Sequence, residues 1–189
     1  MTLADLISNR RTAIAKRWYQ LILESYHPDT SRFMVQEGDR FLNPVGYTFT
    51  QAIESILDEL LEGSDTENLT QSLSNIVKIR AVQDFSPSKA ISPVFLLKRA
   101  VREELGPEIL EQAGIGDLQE FDSRVDRVAL LAFDIYMQCK QKIFDIRVNE
   151  ASKRSAILLD KINRIFGYQE GDADLEDSAS DHVSRGSAR

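Results

Sequence analysis

The sequence predicts an all-α protein, a bundle of several helices with a long C-terminal helix. Two observations predict this fold class. Apolar residues recur at spacings of three and four along most of the chain, which matches the turn of a helix and not the alternation of a strand. Helix start and stop residues, mainly Asn-Pro, Ser-Pro and glycine, divide these apolar runs into segments of helical length. We find no internal repeat and no convincing strand.

The first helix is predicted from about residue 3 to residue 26, where apolar side chains such as Leu6, Ile14 and Trp18 share one face. It ends before Pro28, because the residue that precedes a proline is pushed out of the helical region. A short segment from about Thr30 to Gln36 follows it.

The clearest helix begins at Asn43-Pro44, where asparagine supplies the N-cap. Proline fits the first turn because the backbone N–H groups there have no partner within the helix, so its missing N–H costs nothing. Its apolar stripe continues to Leu61, and Gly63 ends it. The next helix is predicted from about Thr66 to Asp84.

Two prolines affect the helix that follows. Ser86-Pro87 and Ser92-Pro93 each have the form of an N-cap followed by a first-turn proline. Because Pro93 would remove a hydrogen bond from a helix that began at Pro87, we expect a kink or a short turn before the run that reaches Leu105. Glycine and proline then stop this run.

The last helix is the longest that the sequence predicts. Asp117 and Glu120 have the spacing of a capping box, and no glycine or proline follows them before Gly167. Such a helix would be ~75 Å long, whereas a body of ~150 residues is only ~40 Å across. The predicted organisation is therefore a helical domain at 1–146, a departing part of the long helix at 147–166, and an acidic, disordered tail at 167–189.

Composition restricts the function. The net charge of −7 argues against a general nucleic-acid binder, because such a protein needs a clustered basic surface. Cys139 is the only cysteine, and His27 and His182 are the only histidines, so thiolate metal clusters, multi-histidine sites and histidine-based triads lack residues. The chain has no apolar run of ~18 residues and no signal-peptide pattern at its start. We expect a cytoplasmic, non-enzymatic protein with no catalytic residues, no metal, no cofactor and no membrane insertion.

Two stretches carry more than general helix patterning. The first is Asp39-Arg40-Phe41-Leu42-Asn43-Pro44-Val45-Gly46-Tyr47, and the second is Ile79-Arg80-Ala81-Val82-Gln83-Asp84-Phe85-Ser86-Pro87-Ser88-Lys89-Ala90. With Trp18-Tyr19, Ser25-Tyr26 and Ala132 to Tyr136, they resemble the N-terminal sensor domain of RsbRD-type RsbT co-antagonists, also found at the front of bacterial histidine kinases. The resemblance covers roughly residues 5 to 155, in order.

The resemblance implies an all-helical signal-input module whose terminal helix feeds an output domain such as a STAS or kinase unit. Related RsbR input domains have a haem-free globin-like fold, so a globin-like arrangement is implied here. Few residues follow Phe166. We therefore expect a stand-alone sensor or adaptor of stress-response signalling that acts in trans through its C-terminal helix, as a homodimer or with a signalling protein partner. The alternative is a constitutive scaffold or accessory subunit of a larger complex, without a small-molecule ligand.

The motifs also single out polar residues as a candidate ligand site: Arg40, Asn43, Tyr47, Arg80, Gln83 and Ser88. Arginine side chains and the N–H groups of helix N-termini favour negative charge, which indicates an anion or small-molecule ligand. A structural alternative stays open. In it, Arg40 and Arg80 pair with Asp39 and Asp84 or bind loop carbonyls, and Asn43 and Ser86 only cap helices. The candidate partner interface consists of Ile157, Leu158, Ile162, Ile165 and Phe166.

Overall fold

The computed structural model describes residues 2–27, 43–62, 66–107, 111 and 113–167. These residues form the helices α1 (Leu3–Asn9), α2 (Arg11–Leu23), α3 (Pro44–Glu62), α4 (Thr66–Val82), α5 (Pro87–Leu105) and α6 (Gly114–Phe166). No strand occurs within the described ranges. The predicted fold class, an all-α bundle with a long C-terminal helix, is confirmed. The segment predicted at Thr30 to Gln36 lies outside the described residues.

The first predicted helix is two helices in the structure. The sequence predicted one helix from residue 3 to residue 26, but α1 ends and α2 begins on either side of Arg10. The Arg10 guanidinium donates a hydrogen bond of 2.6 Å to the carbonyl of Glu104, at the end of α5. The apolar spacing from Ile7 to Ile14 equals two helical turns, so the periodicity continues across the break and does not reveal it.

The apolar core is formed by α1 to α5 and the first part of α6. α2 packs against α3 and α5, while α3 packs against α4 and α1 packs against α5. Trp18 lies within this core, 1% exposed, and its indole N–H donates to the carbonyl of Pro93 at 2.7 Å. The buried face of α6 contains Phe121, Val125, Val128, Ala129, Ala132, Ile135 and Tyr136. These residues share one side of the helix, in agreement with the apolar periodicity from which the fold class was predicted.

α5 runs as one helix through Pro93, so the short turn that was one predicted outcome does not occur. Pro93 has no N–H to donate to the carbonyl four residues before it, that of Lys89. This carbonyl instead accepts hydrogen bonds from the Ser92 hydroxyl at 3.1 Å and from the Arg80 guanidinium at 2.9 Å. Two side chains thus replace the missing backbone donor, which the local sequence could not indicate.

The long helix begins earlier than predicted and ends where predicted. α6 starts at Gly114, and Asp117 lies in its first turn, so the expected start at a capping box was wrong. The Asp117 carboxylate accepts from the backbone N–H of Leu3 at 3.5 Å. At the other end, Gly167 has a positive φ of 64° and follows the last helical residue.

Contacts within the chain divide it into two units, Met1–Ile143 and Phe144–Arg189. Every side chain described from residue 144 to residue 167 is exposed. The domain limits at 1–146, 147–166 and 167–189 stay a prediction. Among the described helices, none combines the length and the apolar content that a membrane-spanning segment requires.

Candidate functional site

Arg80, in the last turn of α4, is a fully buried charged residue of the core, with 0% of its surface exposed. Its guanidinium lies between two aromatic rings. The guanidinium carbon is 4.6 Å from the ring centre of Tyr26 and 4.4 Å from that of Phe85. These are cation–π contacts, which strengthen when water is excluded. We call Ser25, Tyr26, Arg80 and Phe85 the Arg80 cluster.

The hydrogen bonds of the Arg80 cluster are incomplete. Nη2 of Arg80 donates to the hydroxyl of Ser25 at 3.2 Å and to the carbonyl of Lys89 at 2.9 Å. Within the described part of the chain, Nε and Nη1 of Arg80 and the hydroxyl of Tyr26 are buried without a hydrogen-bond partner. A buried polar group without a partner costs free energy because it has lost its bonds to water.

Burial also shifts the ionisation of this pair. It lowers the pKa of the Arg80 guanidinium, an effect that the nearby Tyr26 hydroxyl opposes. Burial raises the pKa of the Tyr26 hydroxyl, and the positive charge of Arg80 opposes that shift. Both shifts have desolvation as their largest cause, as expected where charge is enclosed in an apolar environment.

No carboxylate forms an ion pair with Arg80 among the described residues. Asp84, which the sequence offered as a structural partner, instead forms an ion pair of 2.6 Å with Lys140 of α6. The alternative in which Arg80 pairs with Asp84 was therefore wrong. Arg80 does bind a carbonyl, but that of Lys89 belongs to helix α5 and not to a loop. Because a buried cation without an anion is costly, its presence is typical of a functional site.

A Schellman motif at the end of α4 places Phe85 over the guanidinium. The N–H of Asp84 donates to the carbonyl of Ala81 at 3.3 Å, and the N–H of Phe85 donates to the carbonyl of Arg80 at 3.2 Å. Asp84 has the positive φ, 58°, that this motif requires after the helix. The same turn therefore ends the helix and brings an aromatic ring back onto the buried guanidinium in its last turn.

The same turn is attached to α6 at two points. The Tyr136 hydroxyl donates to the carbonyl of Phe85 at 2.7 Å, and the Lys140 ammonium bonds Asp84 at 2.6 Å. Tyr136 and Lys140 lie one helical turn apart, so they share one side of α6. A movement of Phe85 against the Arg80 guanidinium would therefore act directly on α6.

Asn43 has a structural role that the sequence predicted. It is buried, and its Oδ1 accepts from the N–H of Gly46 at 2.8 Å, so it caps the start of α3. The approach is close: a Cβ atom on Gly46 would lie 2.3 Å from Nδ2 of Asn43. A larger residue at position 46 would therefore displace the Asn43 amide that caps α3.

The other predicted ligand residues do not lie in the Arg80 cluster. Gln83 and Ser88 are exposed, and Tyr47 is 43% exposed. Ser86 is the N-cap residue of α5, as predicted, although its side chain makes no cap hydrogen bond. Arg40 lies outside the described residues.

The cluster contains residues that the sequence reasoning did not select as ligands. The quoted motifs contain Ser25, Tyr26 and Phe85 of the cluster, and also Lys89 and Tyr136, which bond to it. Other polar residues of the motifs were selected in their place. The available signal was an arginine with aromatic residues in the same motifs, which is the composition of a cation–π site.

Two clefts lie elsewhere in the Met1–Ile143 unit. One, of about 260 Å³, lies among α1, α3 and α6 and is lined by Ile7, Leu60 and Phe121, among others. The other, of about 650 Å³, lies among α3, α4 and α6 and is lined by Leu69, Arg124 and Leu131, among others. Arg80 lines neither cleft.

The candidate partner interface is accessible. Ile157, Leu158, Ile162, Ile165 and Phe166 are between 48% and 75% exposed. Large apolar side chains on a surface mark interaction sites when they are contiguous.

A protein-family model matches most of the chain. The family described as RsbT co-antagonist protein rsbRD N-terminal domain matches residues 12–150. The chain belongs to this family. The match includes the Arg80 cluster and both of its attachments to α6, so the site described above lies inside the RsbRD N-terminal domain. The family description makes this a signalling-related N-terminal domain. Searches of curated proteins and of solved structures found no match.

Proposed function

We propose that this chain is a non-enzymatic, cytoplasmic signal-input module that reads an anionic signal at the Arg80 cluster and acts in trans through α6. The observation that carries the proposal is the buried Arg80 guanidinium, which has no carboxylate partner among the described residues and is linked through Phe85 to Tyr136 of α6. Membership of the RsbRD N-terminal domain family supports the signalling role.

The ligand class follows from the groups that lack partners. Nε and Nη1 of Arg80 and the hydroxyl of Tyr26 are all able to donate hydrogen bonds. A carboxylate or phosphate oxygen accepts such bonds and supplies the missing negative charge, and charge-assisted hydrogen bonds of this kind are roughly twice as strong as neutral ones. We therefore assign a small anion, bearing a carboxylate or a phosphate, as the signal.

Transmission requires two conformations that bind the signal with different affinities. An anion that attracts the guanidinium changes its position between the rings of Tyr26 and Phe85. The Phe85 carbonyl accepts a hydrogen bond from the Tyr136 hydroxyl of α6. A shift of Phe85 moves this acceptor, so the position of α6 with the lowest free energy changes as well. α6 continues without interruption to Phe166, beyond the range of the buried residues.

The test is a thermal titration with acetate and with inorganic phosphate, combined with amide hydrogen exchange of residues 132–140. At least one anion should raise the Tm of the wild-type protein and slow exchange in this part of α6. Arg80→Gln should abolish both effects, since it removes the positive charge. Arg102→Gln is the matched control, because Arg102 is an exposed arginine that pairs with Asp122 outside the cluster.

Tyr136→Phe separates binding from transmission. This variant lacks the hydroxyl that bonds Phe85, so it should keep the rise in Tm and lose the change in exchange of α6. An equal rise in Tm in the wild-type and Arg80→Gln proteins would contradict the proposal. Circular dichroism checks that both variants remain helical.

The scaffold alternative also has support in one observation. Arg80 lines neither described cleft, and rings cover two faces of its guanidinium, as in a purely structural residue. Native mass spectrometry of the protein purified from its host distinguishes the two functions. A retained small anion supports sensing, whereas a stoichiometric protein partner without a small molecule supports a scaffold.

A further inference from the structure

The part of α6 from Phe144 to Phe166 has a seven-residue repeat of exposed positions, all of them apolar except Ser155. One row consists of four residues spaced by seven, Phe144, Ala151, Leu158 and Ile165. A second row, four residues further along the helix, consists of Val148, Ser155 and Ile162. All of these residues are exposed. Spacings that alternate between four and three are those of positions d and a in a coiled coil.

We propose that residues 144–166 form a parallel, two-stranded coiled coil with the same residues of a second copy of this chain. Phe144, Ala151, Leu158 and Ile165 occupy position d, and Val148, Ser155 and Ile162 occupy position a. The inference deepens the proposed function, on which it rests for the role of α6, by naming the partner that this part of the helix binds. The repeat itself is independent of any ligand.

Charge decides the orientation of the two helices. In this register the g positions are Arg147, Arg154 and Lys161, all basic. In an antiparallel pair, g positions face g positions, so these basic side chains would oppose one another and repel. In a parallel pair, g positions face the e positions of the next heptad in the other helix, which are Ser152, Leu159 and Phe166. The arrangement avoids like charges.

The parallel arrangement also covers apolar surface. The aliphatic parts of Arg154 and Lys161 would pack over Leu159 and Phe166 of the second copy, because long basic side chains bury their stems and keep their charge in water. A coiled coil that buries only positions a and d would leave Leu159 and Phe166 exposed, and the basic stems cover them.

The segment is long enough for a modest coiled coil. Residues 144–166 extend over ~34 Å and three heptads, the lower limit at which such a repeat is recognised. In the sequence, Met137 and Leu130 continue the d spacing toward the N-terminus, and both are exposed. Ala151 and Ser155 make the middle of the seam small and polar, so the dimer should be concentration-dependent.

Two adjacent apolar residues are almost equally exposed but occupy different positions of the repeat, so substituting each of them gives a test variant and a matched control. Leu158 is at d and 60% exposed, and Ile157 is at c and 57% exposed. Leu158→Asp should convert the full-length dimer to a monomer in sedimentation equilibrium, whereas Ile157→Asp should leave it dimeric. A monomeric wild-type protein, or equal effects of the two substitutions, would overturn the proposal, as would a dimer that neither substitution weakens.

Cysteine cross-linking tests the orientation in the full-length chain with Cys139→Ser. Ile165→Cys, at d, should form a disulfide-linked dimer under mild oxidation, and Asp160→Cys, at the outward f position, should not. In an antiparallel overlap the two cysteines would be ~30 Å apart, whereas a disulfide needs Cα atoms within ~7 Å. A dimer that lacks the cross-link at 165 would overturn the parallel orientation.

These outcomes are distinguishable from a failure of the proposed function. Leu158→Asp leaves the Arg80 cluster unchanged, so it should keep the anion-dependent rise in Tm. A dimer that shows no response to acetate or phosphate would contradict the sensing function alone, and an anion response in a wild-type monomer would contradict the coiled coil alone.

Discussion

Asp84 occupies a left-handed backbone conformation, with φ of 58°. This conformation costs an ordinary side chain about 1–2 kcal/mol, although aspartate tolerates it better than most. We expect Asp84→Gly to be more stable than Asp84→Ala by about 1 kcal/mol. Both variants lose the ion pair with Lys140, so their difference isolates the backbone. Urea denaturation measures it, and equal stabilities would contradict the Schellman geometry at this turn.

The sequence identified Arg80 but not its surroundings. The sequence left open an ion pair between Arg80 and Asp84, which two residues four apart form when both lie on one helix. In the structure α4 ends at Val82, so Asp84 no longer lies one helical turn above Arg80. The aromatic contact with Tyr26 joins residues far apart in the chain, and only tertiary packing determines it.

At the scale of the helices, Arg80 and Pro93 act on the same acceptor, the Lys89 carbonyl. Arg80→Met removes one donor to this carbonyl, and Pro93→Ala adds the backbone N–H that proline lacks. Arg80→Met should therefore destabilise the protein less in the Pro93→Ala background, with a coupling free energy of about 1 kcal/mol. A double-mutant cycle followed by urea denaturation measures the coupling.

A second cycle serves as its control. Arg102 also donates to a carbonyl of α5, that of Lys98, at 2.9 Å. The Lys98 carbonyl is not the acceptor that Pro93 leaves without a backbone donor. Arg102→Met and Pro93→Ala should consequently be additive. If the Arg80 cycle is additive as well, the guanidinium does not replace the missing backbone bond.

Helix positions show the same limit of sequence reasoning. The start of α3 at Asn43 and Pro44 and the end of α6 at Gly167 depend on local capping chemistry, and both predictions are confirmed. The break at Arg10 and the continuity of α5 depend on bonds to other helices, to Glu104 and from Arg80. Apolar periodicity reports which face is buried, and it carries no information on such long-range bonds.

At the scale of the whole molecule, burial is concentrated in one part of the chain. The buried apolar residues of the described ranges lie between Leu3 and Tyr136, and the family match ends at residue 150. The sequence predicted this division because the stretch from Arg147 to Ser155 is polar. It did not show which side of α6 is exposed, since exposure is known only once the helix is placed against the core.

Truncation after Glu150 tests the division directly. The residues removed contribute no described buried side chain, so the fragment should keep the cooperative unfolding of the core and the anion response. Dimerisation stabilises a folded state by mass action, so the Tm of the full-length protein should rise with protein concentration. The fragment lacks Leu158, Ile162 and Ile165, so its Tm should be constant over the same range, as should that of full-length Leu158→Asp. A fragment that fails to fold would show that the removed segment stabilises the domain, and the predicted limits would then be wrong.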